Sequence, residues 1–100
     1  MSDNPNFPTG TAVISWMDSS GLHIRVYSTD GYNVIERCND TGTDGWVTGS
    51  FSAPGSNVSA TVWIDGGGNV NIRVYCTASD ATTEWVNGSS GWVKGDYTTT

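Results

Sequence analysis

The chain has 100 residues and a formal net charge of −6, set by ten acidic and four basic side chains. This length corresponds to one small domain. The negative charge excludes nucleic acid as a partner, because phosphates require a basic footprint, and it also argues against an anionic membrane surface. No segment is apolar enough to span a bilayer, so insertion into a membrane is not expected.

The chain starts with a polar segment, MSDNPNFPTG, which predicts a flexible tail over residues 1–10. This segment has neither the apolar core of a signal peptide nor the length of an anchor. The sequence therefore predicts a soluble protein. Its compartment stays open, with export and an extracellular role among the alternatives.

The rest of the chain has the composition of an all-β protein. It contains thirteen Gly and five Trp, many Thr, Ser and Val, and few Leu. Clusters of Gly, Asn, Asp and Ser recur about every ten residues, which is typical of short strands joined by turns. Strands are predicted over residues 11–17, 22–28, 33–38 and 46–51, and the second half repeats this pattern of four.

The two halves of the chain are copies of one unit. The motif IRVY recurs 48 positions later, and GWVTGSF recurs as GWVKGDY. Each copy keeps an Arg, a Glu and two Trp at matching positions: Arg25, Glu36, Trp16 and Trp46 in the first, and Arg73, Glu84, Trp63 and Trp92 in the second. We therefore divide the one structural domain into repeats over residues 11–57 and 58–100.

A four-stranded repeat of this length is typical of a β-propeller blade. Two blades alone would leave apolar faces uncovered and strand edges unpaired. A cyclic homo-oligomer in which each subunit contributes two blades solves this problem. The alternative architecture is a β-sandwich built from two similar halves.

The chain has only two Glu and three Arg, yet each copy places one Arg eleven residues before one Glu. One interpretation of these pairs, Arg25–Glu36 and Arg73–Glu84, is an ordinary surface ion pair that contributes little. The other is a binding site kept in both copies. Guanidinium donors and carboxylate acceptors on adjacent strands can bracket neighbouring hydroxyls, which suits a sugar.

The repeated GW pair supplies further candidates. The indoles of Trp46 and Trp92 would offer an apolar face and an N–H donor to a sugar ring, with core packing as the alternative. Trp16 and Trp63 have no polar residues around them in the sequence. We expect both in the core.

Catalysis is not expected. Glycoside hydrolysis needs two carboxylates facing one bond, whereas each copy offers one carboxylate beside a cation that would lower its pKa. Asp96 adds an acid to the second copy, but Ser50 replaces it in the first, and His23 is unrepeated. Cys38 and Cys76 fall at different repeat positions and are expected to be buried free thiols rather than a disulfide or zinc site.

The arrangement IRVY…ERC…GW.TG.F…PG.NVSAT.W…IRVY…TEW…GW.KG.Y strongly resembles the fucose-binding lectins of the Aleuria type. It is most similar to their small two-repeat bacterial members, known from Ralstonia and Burkholderia. The resemblance covers nearly everything after about residue 11. It implies a six-bladed propeller formed by a homotrimer. It also implies a multivalent lectin for L-fucose and fucosylated glycans, without enzymatic activity, metal or cofactor.

The resemblance also implies which residues bind the sugar. Site one lies within a single chain and consists of Arg25, Glu36, Ser50, Asn87 and Trp92. Site two combines Arg73, Glu84 and Asp96 of one chain with Asn39 and Trp46 of a neighbouring subunit. At Ser50 and Asp96 the contact is made by the backbone.

Three positions depart from the family pattern. The two-repeat relatives commonly have an aromatic residue at the positions of Asn39 and Asn87, and a small residue at that of Asp96. Affinity and fine specificity are therefore expected to differ. One alternative is a propeller that has lost sugar binding and serves as a structural or protein-interaction domain; the intact Arg–Glu pairs favour the lectin over it. The other is an enzyme acting on glycans, which the missing repeated second acid disfavours.

Overall fold

The computed structural model describes residues 10–88 and 91–99, which form eight β-strands. The first half contains β1 (Thr11–Asp18), β2 (Gly21–Thr29), β3 (Asn33–Asp40) and β4 (Val47–Pro54). The second half contains β5 (Asn57–Ile64), β6 (Val70–Ala78), β7 (Ala81–Gly88) and β8 (Gly91–Lys94). The described residues form no helix, so none of them belongs to a helix that could cross a membrane.

The all-β prediction is confirmed. The strands form two antiparallel sheets, with orders β1-β2-β3-β4 and β5-β6-β7-β8, so each strand pairs with the next in the chain. Strands run further into polar residues than the sequence predicts, as where Asp18 pairs with Gly21 and Pro54 with Asn33. The register of the hairpin, rather than hydrophobicity, sets where pairing ends.

The predicted tail, residues 1–10, lies outside the described residues except for Gly10. The carbonyl of Gly10 accepts a hydrogen bond of 3.1 Å from the N–H of Thr29. This contact ties the start of the first sheet to the end of β2.

One apolar core lies between the two sheets. Its most deeply buried side chains are Tyr27 and Val34 from the first sheet and Val74 and Cys76 from the second, each at most 1% exposed. Cys76 and Cys38 are both buried free thiols, as the sequence predicts. Packing of the two inner faces against each other therefore accounts for most apolar burial in the chain.

The repeated residues point in opposite directions relative to this core. In the first sheet Tyr27 is core-facing and pairs directly with Glu36, so both lie on the inner face. In the second sheet Val74 is core-facing, so its neighbours Arg73 and Tyr75 lie on the outer face, because successive side chains alternate along a strand. The first copy of the candidate site is thus covered by the second sheet, and the second copy is not.

Candidate sugar-binding sites

Glu36 is a buried carboxylate held by two donors. The hydroxyl of Tyr27 donates to its Oε2 at 2.7 Å, and the backbone N–H of Phe51 donates to its Oε1 at 3.3 Å. The carboxylate reaches this N–H at an irregularity in the β3–β4 pairing. A Cβ on Gly49 would overlap Oε1 of Glu36. The repeated glycine of the GWVTG motif is therefore required by the close approach of the carboxylate.

Glu84 repeats this arrangement in the second sheet. Its Oε2 accepts a 2.7 Å bond from the hydroxyl of Tyr75, and its Oε1 accepts a 3.1 Å bond from the N–H of Tyr97. A Cβ on Gly95 would again overlap the carboxylate. The Tyr75 hydroxyl, ahead of the other donors, lowers the pKa of Glu84. Both copies therefore present a carboxylate that is fixed from one side by a tyrosine hydroxyl and a backbone N–H.

Arg73 and Glu84 form the contact that the sequence predicts. Nη1 of Arg73 donates to Oε2 of Glu84 at 3.2 Å, and the guanidinium carbon lies 5.3 Å from the ring centroid of Trp63. Nε of Arg73 is buried and has no acceptor among the described residues. The guanidinium thus lies on an aromatic face with donors left for a ligand.

Arg25 behaves differently. Its Nη1 donates to Oδ1 of Asp40 at 2.8 Å and to the carbonyl of Ile24 at 3.0 Å, rather than to Glu36. The guanidinium carbon lies 4.9 Å from the ring centroid of Trp16. Burial raises the pKa of Asp40, but the bonds from Arg25 and a neighbouring His outweigh burial and the pKa is lowered. The predicted Arg25–Glu36 pair shares one sheet face without a direct bond.

The neighbouring His is His23, which lies between two carboxylates. Its Nδ1 is 2.6 Å from Oδ1 of Asp40, and its Nε2 is 3.0 Å from Oδ1 of Asp18. These bonds, that of Asp40 first, raise the pKa of His23. A hydrogen bond from Ser20 and then the one from His23 lower the pKa of Asp18 to about 2. Site one is therefore flanked by a charged, hydrogen-bonded cluster.

Trp92 completes site one from the second sheet. Its ring centroid lies 4.6 Å from that of Phe51 and 6.3 Å from that of Tyr27, the residue that binds Glu36. Its Nε1 is buried, and no acceptor among the described residues reaches it. An indole donor with no acceptor among the described residues thus lies against Tyr27 and Phe51, the two residues that hold the Glu36 carboxylate.

The other residues predicted for site one have less direct positions. Asn87 pairs with Trp92 across the β7–β8 hairpin and is half-buried, with no described contact to Arg25 or Glu36. Ser50 is exposed on β4, next to Phe51, whose N–H binds Glu36. The backbone of β4 therefore borders the carboxylate, while Asn87 lies in the second sheet.

Site two is open within one chain. Trp46 directly precedes β4 and is 44% exposed, and Asn39 on β3 is half-buried. In the described part of the chain, no contact joins either of them to Arg73 or Glu84. Asp96 is exposed beside Gly95. Among the described residues, none therefore gives the outer face of the second sheet an aromatic in the role that Trp92 has at site one.

Two features escaped the sequence analysis. Tyr27 and Tyr75 hold the carboxylates, and strand alternation could have revealed them, since each follows its Arg by two positions on the same face. The expectation that Trp16 and Trp63 are both core residues is wrong for Trp63, which is 41% exposed beneath Arg73. Trp16 packs partly against the core, but it also supports Arg25.

Comparison with known proteins identifies the family of the chain. Residues 5–100 match the family model of the fungal fucose-specific lectins. Among solved structures, the chain resembles a fucose lectin from Kordia zhangzhouensis in complex with methyl-fucoside, with 40% sequence identity and a TM-score of 0.69. This match covers 90% of the present chain and 64% of the Kordia chain. No curated protein matches. The chain belongs to the family of fungal fucose-specific lectins.

Proposed function

We propose that this protein is a non-catalytic lectin that binds L-fucose and fucosylated glycans through two kinds of pocket in each chain. The observation that carries the proposal is the buried Glu36 carboxylate, fixed on one side by Tyr27, beside Trp92, whose buried indole N–H has no acceptor among the described residues. A fixed acceptor and a free donor around an aromatic ring suit a sugar that has hydroxyls and a C–H face.

Site one consists of Arg25, Glu36, Ser50, Asn87 and Trp92. Glu36 would accept a hydrogen bond from a sugar hydroxyl, while Arg25 and the indole of Trp92 would donate hydrogen bonds to hydroxyl oxygens. The ligand of the Kordia lectin is methyl-fucoside, which supports fucose as the sugar. Each copy places one Glu carboxylate on the same sheet face as an Arg, and the two copies share no second acid at matching positions, so sugar binding without hydrolysis is the expected outcome.

Site two consists of Arg73, Glu84 and Asp96, with Asn39 and Trp46 supplied by a neighbouring chain. Within one chain, Trp92 packs against Tyr27 and Phe51. The repeat equivalents of these rings are Trp46 on one outer face and Tyr75 and Tyr97 on the other. A head-to-tail contact between chains would therefore reproduce the inner packing and complete site two.

Repetition of this contact closes a ring. We propose a homotrimer that forms a six-bladed β-propeller, with blades at residues 11–57 and 58–100 behind a tail at residues 1–10. These boundaries stay a prediction. Exposed apolar groups on the outer faces support the contact: a cavity of about 310 Å³ is lined by Val26, Arg37 and Trp46, and Tyr97 is 48% exposed. We expect a soluble, multivalent protein; its compartment stays open.

Titration calorimetry with methyl α-L-fucoside tests the proposal. Arg25→Ala and Arg73→Ala should each lower the stoichiometry from about two to about one per chain, with roughly 1–3 kcal/mol lost at the altered site. Circular dichroism checks that each variant keeps the fold. Unchanged stoichiometry in both variants would show that these arginines form ordinary surface ion pairs and do not bind the sugar. A wild-type chain that binds no fucosylated ligand would favour the structural or protein-interaction domain.

A further inference from the structure

The two candidate sites differ in what holds their arginines. Oδ1 of Asp40 is shared by Arg25, at 2.8 Å, and His23, at 2.6 Å. Neither Asp40 nor His23 is repeated: 48 positions later the chain has Gly88 and Asn71. Arg25 is thus anchored by a third residue, whereas Arg73 donates to the carboxylate of its own site.

This anchor, which consists of Asp40 and His23, is held in place by aromatic and acidic side chains. The rings of His23 and Trp16 stack with centroids 5.0 Å apart and planes 17° apart, and Arg25 lies over the same Trp16 ring. Asp18 holds the second ring nitrogen of His23 at 3.0 Å. Only the imidazolium form can donate to Asp40 and Asp18 at once, since a neutral imidazole has a single N–H.

The anchor changes what each site can offer a ligand. Nη1 of Arg25 uses both of its hydrogens, on Asp40 and on the carbonyl of Ile24, so Nη2 and Nε keep a fixed direction. The Glu36 carboxylate then needs to satisfy only Tyr27 and one backbone N–H. It keeps acceptor positions for a ligand hydroxyl.

Site two is less prepared for a ligand. Oε2 of Glu84 already accepts from both Tyr75 and Arg73. Donor and acceptor therefore partly satisfy each other before a sugar arrives.

We propose that Asp40, held by His23, is a positioning residue of site one: it fixes the Arg25 guanidinium apart from Glu36 and makes site one the tighter and the pH-dependent of the two sugar sites. This inference rests on the proposed function. Preorganised donors bind more tightly because less ordering is needed when the ligand arrives.

The direction of the pH dependence follows from the His23 bonds. The bond to Asp40, and then that to Asp18, raises the pKa of His23 above its ordinary value of 6.5. As the pH rises through the raised pKa, one of the two carboxylates loses its donor and Asp40 is held less firmly, so the fucose affinity of site one falls. The opposing strand β5 presents apolar side chains here. The charged and titratable groups that act on His23 are Asp40 and Asp18. Those that act on Arg25 are Asp40, Cys38 and Glu36 on β3.

Single-site chains separate the two pockets. Arg73→Ala leaves site one and Arg25→Ala leaves site two, and calorimetry with methyl α-L-fucoside measures each from about pH 5.5 to pH 8.5. Adding Asp40→Asn should weaken binding about three- to tenfold in the Arg73→Ala chain and leave the Arg25→Ala chain unchanged. Affinity in the Arg73→Ala chain should fall with rising pH, and His23→Asn should remove this step.

A transplant gives a second test. Asn71→His with Gly88→Asp would rebuild the anchor at site two, since nothing lies within 4 Å of a Cβ placed on Gly88. In the Arg25→Ala background this pair should create a pH step that is absent without it. Equal effects of Asp40→Asn on both sites, or a flat pH profile for the Arg73→Ala chain, would overturn the inference alone. A wild-type protein that binds no fucoside would overturn the proposed function with it.

Discussion

The hydroxyl of Tyr27 donates a 2.7 Å hydrogen bond to Oε2 of Glu36, and both residues are buried between the sheets. Burial and then the adjacent carboxylate raise the pKa of Tyr27, so its hydroxyl stays a donor. The equivalent bond from Tyr75 to Glu84 has the same length but lies on an outer face and is only partly buried. The same Tyr–Glu hydrogen bond thus occurs in both repeats, once between the sheets and once on an outer face.

Tyr27→Phe should destabilise the protein more than Tyr75→Phe does. Loss of the Tyr27 hydroxyl leaves a buried carboxylate short of a donor, which costs about 1–3 kcal/mol of unfolding free energy. At Tyr75 the loss should fall mainly on the proposed contact between chains, because water can replace the hydroxyl wherever a chain is free of its neighbour. Urea unfolding at one protomer concentration measures both variants, because an oligomer's apparent stability depends on concentration. Equal losses would show that the two carboxylates are equally hydrated.

Gly49 and Gly95, the repeated glycines next to the two carboxylates, should not tolerate a side chain. In Gly49→Ala or Gly95→Ala the new Cβ would overlap Oε1 of Glu36 or Glu84. Displacement of the carboxylate should cost about 1–3 kcal/mol of stability and weaken fucose binding at the altered site. Gly66→Ala is the control, since nothing lies within 4 Å of its added Cβ. Intact binding in both site variants would mean that β4 and the segment after β8 can shift away from the carboxylates.

Acid should destabilise the fold partly through Glu84. The Tyr75 hydroxyl is the main cause of its lowered pKa. A carboxylate with a lowered folded-state pKa contributes stability above its ordinary pKa, and this contribution is lost as the pH falls through the folded-state pKa. Glu84→Gln should therefore flatten the acid limb of thermal stability measured from about pH 7 to pH 3. An unchanged acid limb would assign that loss to other carboxylates.

The fold could largely be predicted from the sequence, because rare residues and turn clusters recur at matching positions and make the repeat recognisable. Two copies of IRVY and GWV fix the strand order, and the hairpins follow from the short turns between them. The opposite orientation of the two copies relative to the core could not be predicted. It depends on which sheet faces pack together, and alternation along one strand does not reveal this.

The candidate site was predictable where the copies agree and hidden where they differ. Glu84 and Arg73 meet as their repeated spacing predicts. Arg25 instead donates to Asp40, which lies opposite His23 in the β2–β3 register. The contact between Arg25 and Asp40 can be recognised only when the strand pairing is known. Comparison of the two repeats does not point to Asp40, because the second copy has no acid at that position.

Trp46→Ala should weaken the proposed trimer while each chain keeps its fold. Light scattering of the natural protein should report about three times the monomer mass at micromolar concentration. Loss of the exposed Trp46 indole should weaken the trimer and site two, whereas Trp92→Ala removes the matching indole inside a chain and should affect site one first. A stably folded wild-type monomer would rule out the six-bladed ring.

Asn39 and Asn87 should weaken monosaccharide affinity without abolishing recognition. The hydroxyl contacts depend on Arg, Glu, an indole N–H and backbone, all of which each copy retains. What is reduced is apolar coverage of the sugar, and a lost aromatic contact costs about 1 kcal/mol. Asn87→Trp should therefore tighten binding at site one, where Asn87 pairs with Trp92 across the hairpin. Asn39→Trp should do the same at site two, through the neighbouring subunit.

Valency should compensate for this weakness on surfaces. Six pockets on one ring could engage several glycans at once, and the effective concentration of later contacts raises avidity by roughly 10²–10⁴. Calorimetry with free methyl α-L-fucoside and surface plasmon resonance on a dense fucosylated surface, for the natural chain and both Trp variants, separate affinity from avidity. The variants should gain on the free sugar and less on the surface, where valency already dominates. If neither variant gains on the free sugar, the Asn side chains do not occupy an aromatic's position, and a natural chain that ignores the dense surface is not a working lectin.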